Sequence, residues 1–196
     1  MTIKTISKND TLLFKAFAIL AIALHNFFHF LKPVPACENE FTFDANSVRL
    51  FFDAFSNAPG DWLNILLSYL GHYGVQVFIL ISGYGLTVSM LRHRQSWLPF
   101  VVKRFSKLMP LLLLDILFLY ISEILIHSRT LGDYEWREIK YKLLMLHTLT
   151  PKSGLTVVGP WWFFALIFQL YLLFPPLFRV LQKYRWKAFA IIAALC

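Results

Sequence analysis

Residues 62–91 read WLNILLSYLGHYGVQVFILISGYGLTVSML and contain no Asp, Glu, Lys or Arg. At the helical rise of about 1.5 Å per residue, about 20 apolar residues cross the roughly 30 Å hydrocarbon core of a bilayer. The stretch therefore predicts a membrane-spanning helix. Its small residues permit close helix packing, and a kink is expected near Gly71 and Gly74.

The composition of the whole chain agrees with a membrane protein. Of its 196 residues, 58% are apolar and 15% are charged, whereas about 25% are charged in ordinary soluble domains. The chain contains 20 Phe, 8 Tyr and 6 Trp. With so few charges, a soluble protein of this composition would expose large apolar surfaces to water. A soluble globular domain is therefore excluded.

Three further stretches predict full spans, namely residues 12–31, 108–126 and 161–178. Pro110 opens the second of these, and Pro175 and Pro176 must end or bend the third. Residues 141–149 cover about half a span, so we expect an interfacial or re-entrant piece there. From Trp186 the sequence turns apolar again, which predicts the start of a further span.

These stretches together predict an all-α polytopic membrane helix bundle that is incomplete. It contains about four full spans, a short re-entrant or interfacial helix and the start of a further span. Residues 1–196 are then expected to be the N-terminal part of a single membrane domain that continues in a longer parent protein.

The formal net charge of +8 has two explanations, nucleic-acid binding or membrane topology. The basic residues before the first span and between the second and third are Lys4, Lys8, Arg92, Arg94, Lys103, Arg104 and Lys107. Acidic residues prevail in the connection 32–61. Since short cytoplasmic loops carry excess Lys and Arg, this pattern predicts a cytoplasmic N-terminus and an external connection 32–61. Nucleic-acid binding is not expected, because the basic residues flank spans.

Two histidines and an asparagine near the end of the first span are candidates for chemistry. His25 and His29 are four residues apart and share one helix face, with Asn26 nearby. A free imidazole has a pKa of about 6.5 and can accept a hydroxyl proton at neutral pH. The pair can also hydrogen-bond headgroups or water at the membrane surface, or present two ligands to a metal ion. Because no second ligand cluster is evident, no metal is predicted.

Other polar residues inside the predicted spans have alternative explanations. Asp115 and Glu123 lie two turns apart and are proton-relay candidates, but the structural interpretation, as partners of cationic neighbours, is favoured. His72 and Ser82 lie in the glycine-rich span, where small residues let a backbone or a ligand approach closely. Helix packing alone explains those glycines.

The basic cluster that includes Lys103, Arg104 and Lys107 is a candidate anion site. Several cations at the cytoplasmic mouth of a bundle can bind the phosphates of a nucleotide-containing donor. Anionic lipid headgroups are the alternative ligands.

Four stretches carry a family resemblance. They are FKAFAILAIALHNFFHF at 14–30, LGHYGVQVFILISGYGL at 70–86, FVVKRFSKLMP at 100–110 and WWFFALIFQLYLLFP at 161–175. The second is the most specific, because it is similar to a G-x-x-G-V…F-F-x-x-S-G-[FY] segment. In this order the stretches resemble the acyltransferase 3 family, membrane O-acyltransferases that decorate extracytoplasmic glycans in bacteria. Counting from Lys15, the family's histidine position falls on Asn26, so His25 is displaced by one residue.

The resemblance implies transfer of an acyl group, expected to be acetyl, to a hydroxyl of an extracytoplasmic glycan or cell-surface polysaccharide. The donor would be acetyl-CoA or another acyl-CoA, the base would be His25 or His29, and the location would be the cell inner membrane. The implied substrate-binding residues are Lys15, Asn26, Ser82, Lys103, Arg104, Lys107, Gln169 and Tyr171. We expect no redox cofactor or catalytic metal, and no activity from residues 1–196 alone.

A transporter or channel subunit is the alternative function. In such a protein the intramembrane His, Asp and Glu line a proton or solute path. The sequence beyond Cys196 separates the two hypotheses, because several further spans favour the enzyme and a second half that repeats this one favours a transporter.

Overall fold

A computed structural model describes residues 6–29, 31, 42–127, 136–149, 159–187 and 190. Within these ranges the chain is helical and no strand occurs, which confirms the predicted all-α helix bundle. The helices are α1 (Lys8–Phe28), α2 (Ala45–Asn57), α3 (Trp62–Leu70), α4 (Gly74–Arg92), α5 (Trp97–His127), α6 (Trp136–Leu143) and α7 (Trp162–Tyr184).

Four stretches of the described chain are long and apolar enough to cross a membrane, as predicted. They are Lys8–Phe28, Pro59–Arg92, Trp97–Ile126 and Trp162–Tyr184. The chain divides into two compact units, Met1–Arg92 and His93–Cys196, with two of these stretches in each. The expected start of a further span after Trp186 lies almost entirely outside the described residues.

The first span begins four residues earlier than predicted, because a cap starts it. The Ser7 side chain accepts a hydrogen bond from the Asp10 backbone N–H at 3.1 Å, and its hydroxyl donates to the Asp10 carboxylate at 2.7 Å. This reciprocal pair satisfies a backbone donor that the first turn of a helix otherwise leaves open. Helix α1 therefore runs from Lys8 to Phe28 rather than from residue 12 to 31.

Within the first unit, α1 packs against α3 and α4 along its length and runs antiparallel to them. At one end, the Asn64 side-chain amide donates to the Leu31 carbonyl at 3.5 Å. At the other end, the Ile6 backbone N–H donates to the Tyr84 hydroxyl at 2.8 Å. The two spans of this unit are thus a pair of opposed helices, as a two-crossing topology requires.

The predicted kink in the second span is a 3-10 turn over Gly71–Tyr73, between α3 and α4. A Cβ on Gly71 would lie 2.7 Å from the Ala21 carbonyl oxygen, and one on Gly74 would lie 2.6 Å from the Ala18 carbonyl oxygen. Real Cβ atoms do not approach other atoms so closely, so only glycine lets this turn sit directly on α1.

The expected loop between the first two spans contains a helix that was not predicted. The Asp44 side chain caps α2 by accepting from the Asn46 backbone N–H at 2.9 Å. The Phe51 ring of α2 stacks on Tyr69 of α3, with ring centroids 4.3 Å apart. The charges of the connection predict only its side of the membrane, whereas Phe51, Ala54 and Phe55 follow helical spacing and predict one apolar helix face.

In the second unit, α5 is much longer than the predicted third span. It has 31 residues and begins at Trp97 instead of residue 108, so Pro110 lies inside the helix and does not open it. The early segment is helical because it buries Phe100 and Val101. A proline removes one backbone donor from a helix, and α5 continues on both sides of Pro110 without it. The basic residues at 103–107 therefore lie on a helix and not in a connection.

Helix α7 also continues through its prolines, so of the two predicted effects, an end or a bend, the end does not occur. Pro176 has no N–H, so the Leu172 carbonyl four residues earlier loses its helical donor. The indole N–H of Trp97 donates to that carbonyl at 2.9 Å. Within a span a lost backbone bond is tolerated when another helix satisfies the freed group, and Trp97 does so here.

The predicted half-span is two short pieces, α6 and a 3-10 turn over His147–Leu149. The eight residues of α6 cover only about 12 Å at 1.5 Å per residue, so α6 cannot cross a bilayer. Between the pieces, Met145 has a positive φ of 55° and is buried in a core with Leu112, Trp161 and Ala165. Leu112 is the middle residue of α5, so Met145 packs at the middle of that span.

Candidate active-site clusters

The first cluster forms where the glycine turn meets α1. His25 is 6% exposed, and its Nδ1 lies 3.3 Å from the Leu67 carbonyl oxygen of α3. A carbonyl only accepts, so this contact requires the proton of the neutral ring on Nδ1 and its lone pair on Nε2. The packing of α3 on α1 therefore fixes the tautomer that a general base needs.

A second histidine, His72, enters this cluster from the glycine turn. Its ring centroid lies 5.6 Å from that of His25, in an edge-on arrangement, and 4.1 Å from the Tyr73 ring. The side chain is 3% exposed, and neither ring nitrogen makes a hydrogen bond with any residue that the structure describes. The Tyr69 backbone interacts with the ring without reaching hydrogen-bond geometry.

His29 completes the cluster at its exposed edge. Its ring centroid lies 5.7 Å from that of His25, but the side chain is exposed. Of the two first-span histidines, His25 is therefore the enclosed one. The described residues contain no group of three or more His, Cys, Asp or Glu side chains arranged to hold a metal ion.

The other residues predicted for substrate binding in this unit lie apart from the His25 and His72 rings or bond elsewhere. The Asn26 side chain donates to the Ile22 carbonyl of its own helix at 2.9 Å. Lys15 lies ten residues before His25, about 15 Å along α1, and its ammonium group is 5.8 Å from the centre of the Phe78 ring. Ser82 is half-buried on α4, about 12 Å beyond Gly74 along the helix.

The second cluster lies in the other unit, where α5 passes α7. The Arg104 guanidinium carbon is 5.4 Å from the centre of the Phe100 ring and 5.8 Å from that of Tyr171. The two rings contact each other edge to face at 6.4 Å. Aromatic faces attract a guanidinium and orient its plane. The structure thus brings together two residues that the sequence nominated, Arg104 and Tyr171, and adds Phe100.

The remaining candidates of this unit have separate surroundings. Lys103 and Lys107 are exposed on α5. The Gln169 side-chain amide donates to the Thr148 hydroxyl at 2.7 Å, so it holds the 3-10 turn against α7. Gln169 is therefore not in the arginine and aromatic cluster.

Asp115 has a structural partner. Its carboxylate accepts a hydrogen bond from the Trp161 indole N–H. The Trp161 backbone carbonyl lies 3.1 Å from Nε2 of the fully buried His147. These bonds join α5, the 3-10 turn and the start of α7, which agrees with the structural interpretation of Asp115, although the partner is an indole and not a cation.

His72 and Phe100 are members of the clusters that were not among the predicted site residues, although His72 is one of the polar residues that the sequence places in the glycine-rich span. The sequence signal for His72 was its position between Gly71 and Gly74. Once these glycines are understood as the contact with α1, the residue between them must lie near that helix too. Phe100 had the signal of helical spacing, because it precedes Arg104 by four residues and shares its helix face.

The described chain is thus a multi-pass α-helical membrane protein with a buried pair of histidine rings in one unit and an arginine between aromatic rings in the other. A family model described as an acyltransferase domain matches residues 13–196, so the chain belongs to the acyltransferase 3 family. The match confirms the resemblance carried by the four stretches and supports a membrane acyltransferase in general. Searches of the curated proteins and of the solved structures find no match.

Proposed function

We propose that the protein is a membrane O-acyltransferase that moves an acyl group, acetyl in the first instance, from acyl-CoA to a hydroxyl of an extracytoplasmic glycan. The main support is His25, which is buried in a span and has Nδ1 against the Leu67 carbonyl. An ionisable group in a span is costly and rare, and by default it serves a function. Family membership supplies the reaction class.

His25 acts as the general base in this proposal. Its Nε2 accepts the proton of the glycan hydroxyl while the hydroxyl oxygen forms a bond to the thioester carbonyl carbon. The carbon–sulfur bond then breaks, and the proton passes from His25 to the departing thiolate to give free coenzyme A. Enclosure of the ring inside the helix bundle excludes water, which limits hydrolysis of the donor.

Arg104 binds a phosphate group of the donor in this proposal. Its guanidinium offers a planar fork that suits phosphate oxygens. The Phe100 and Tyr171 rings restrict the guanidinium plane, so less side-chain entropy is lost when phosphate binds. Lys103 and Lys107 are exposed on the same helix and add positive charge near it.

The cytoplasmic membrane is the proposed location, with the N-terminus in the cytoplasm. The distribution of Lys and Arg supports this orientation. It puts the Arg104 end of α5 on the side where acyl-CoA is present, and it exposes the connection that contains α2 to the glycan side.

Radiolabel transfer in membrane vesicles tests the function. Vesicles that contain the protein at its natural length, with cell-envelope glycan from its source, receive acetyl-CoA labelled in the acetyl group. We expect label in the glycan fraction, and little label when His25→Ala replaces the wild type. Absence of transfer with several acyl-CoA donors and acceptors would contradict the proposal, and proton or solute movement without transfer would favour a transporter.

A further inference from the structure

His72 is a buried polar side chain that has no role in the proposed reaction. It is an ionisable side chain within a membrane span, it is 3% exposed, and neither of its ring nitrogens has a hydrogen-bond partner among the described residues. Leaving a buried polar group unsatisfied costs about 1–3 kcal/mol. An apolar side chain could fill this position without that cost. The two nitrogens of the His72 ring therefore indicate a polar ligand.

The position of the ring shows where such a ligand would lie. The His72 and His25 centroids are 5.6 Å apart, and the rings meet edge-on at 68°. An oxygen atom that hydrogen-bonds two nitrogens at about 2.8 Å each can join nitrogens up to about 5.6 Å apart. Rings at this centroid separation are close enough for one hydroxyl oxygen to bond both of them where a nitrogen of each ring faces the other.

The backbone holds this pair of rings in place from both sides. Gly71 and Gly74 flank His72 and contact the α1 backbone at distances that no Cβ permits. His25 is fixed through its Nδ1 contact with the Leu67 carbonyl at 3.3 Å. Two polar rings set by backbone packing are the kind of rigid support that a binding site for a reacting group requires.

We propose that His72 is a second site residue, whose ring N–H donates to the oxygen of the acceptor hydroxyl and holds that hydroxyl against Nε2 of His25. This inference rests on the proposed function and adds a residue to its acceptor side. His72 keeps its proton throughout: the hydroxyl proton moves to His25, the oxygen bonds to the acyl carbon, and the proton leaves with coenzyme A. The contribution of His72 is orientation of the nucleophile.

Three variants of the natural-length protein test this role in the vesicle assay. His72→Phe keeps a ring of similar size and removes both nitrogens, His72→Gln keeps an N–H donor, and Ile81→Ala removes buried volume elsewhere on α4. We expect His72→Phe to lower kcat/KM for the glycan about 10- to 100-fold, from the worth of an oriented hydrogen bond. The KM for acetyl-CoA should be unchanged, and His72→Gln should recover part of the loss.

The outcomes separate this inference from the proposed function. If the wild type transfers label and His72→Phe transfers it equally well, His72 is a packing residue and the inference is wrong. An equal loss in His72→Phe and Ile81→Ala, with no recovery in His72→Gln, would also overturn it, because that pattern reports packing alone. If the wild type itself transfers no acyl group to any acceptor, the proposed function has failed first.

Discussion

Gly71 packs directly against His25: a Cβ on the glycine would lie 2.6 Å from the Cβ of the histidine. The same contact sets the depth of the glycine turn on α1 and the distance between the His25 and His72 rings. The close helix packing that glycine permits and the geometry of the candidate site are therefore one feature of this molecule.

Substitution of Gly71 is expected to damage both stability and activity. Gly71→Ala forces α3 and α4 away from α1, and overpacking of this kind costs about 1–3 kcal/mol. The variant should unfold in detergent at a lower temperature than the wild type. Loss of the monodisperse gel-filtration peak on heating measures this unfolding. Acetyl transfer should fall even at temperatures where the variant is folded.

Gly83→Ala and Gly85→Ala are the matched controls on α4. No described neighbour comes within 4 Å of a Cβ at either position. Alanine in a helix interior is favoured over glycine by about 0.5–1 kcal/mol, so these variants should unfold at the same temperature or higher. A Gly71→Ala protein as stable as Gly85→Ala would contradict the close contact with α1.

The two first-span histidines are expected to differ in their effect on catalysis. His25→Ala should lower kcat for acetyl transfer about 10²- to 10⁴-fold, the usual contribution of a general base. His29→Ala should have a much smaller effect, because the side chain is exposed. The measurement is the initial rate of label transfer at saturating acetyl-CoA. If each variant folds normally and retains the wild-type rate, no histidine of the first span is the base.

Arg104→Ala is expected to weaken donor binding. A hydrogen bond to a charged group is worth about 1.5–3 kcal/mol, so the KM for acetyl-CoA should rise at least about tenfold. Arg104→Lys should recover only part of the affinity, since it keeps the charge and loses the planar fork between the rings. Arg49→Ala is the control, because Arg49 is an exposed arginine on α2. An unchanged KM in Arg104→Ala would exclude Arg104 from the donor site.

Much of the fold is predictable because the bilayer imposes simple requirements. A span must be long and apolar, and this requirement predicts the four spans. Gly71 and Gly74 in turn predict the kink in the second span. Helix ends were less predictable, because they depend on particular partners. Ser7 extends α1 through a local cap, and Trp97 supports α7 across its prolines through a contact 75 residues away in sequence.

The candidate site was predictable only in part, for a similar reason. His25 stood out because ionisable groups inside spans are rare, and Arg104 stood out because it belongs to a basic cluster beside a span. His72 acquires its meaning from His25 on another helix, and no spacing within one helix reveals that pair. The spacing of Phe100 and Arg104 indicates a shared helix face, but not the Tyr171 ring of α7 that completes the cluster. Lys15, Asn26 and Ser82 are substrate-binding residues that the family resemblance implies, yet the structure gives them partners or positions away from the His25 and His72 rings.

The orientation of the chain in the membrane can be tested by cysteine labelling in intact cells. In a protein that carries Cys37→Ser and Cys196→Ser, the substitution Asp53→Cys lies on α2 and Arg94→Cys lies between α4 and α5; both positions are exposed. A membrane-impermeant maleimide should label Asp53→Cys from outside and reach Arg94→Cys only after permeabilisation. The reverse pattern would put the N-terminus outside and the arginine cluster on the wrong side for a cytoplasmic donor.

The hydrogen bond from Trp97 to α7 predicts that the stability cost of losing the indole depends on Pro176. A contact that contributes only packing would not show this dependence. Trp97→Phe removes the indole donor and leaves the Leu172 carbonyl unsatisfied, which should cost about 1–3 kcal/mol of stability. Pro176→Ala returns a backbone N–H to that carbonyl. In the Pro176→Ala background, Trp97→Phe should therefore cost clearly less.

A double-mutant cycle on the unfolding midpoint in detergent measures this coupling, and coupling energies of about 0.5–3 kcal/mol are typical of residues that share a partner. Trp62→Phe, an exposed tryptophan of the other unit, is the control and should be insensitive to Pro176→Ala. If Trp97→Phe is equally costly in both backgrounds, its indole contributes only packing. The continuation of α7 past its prolines would then need another cause.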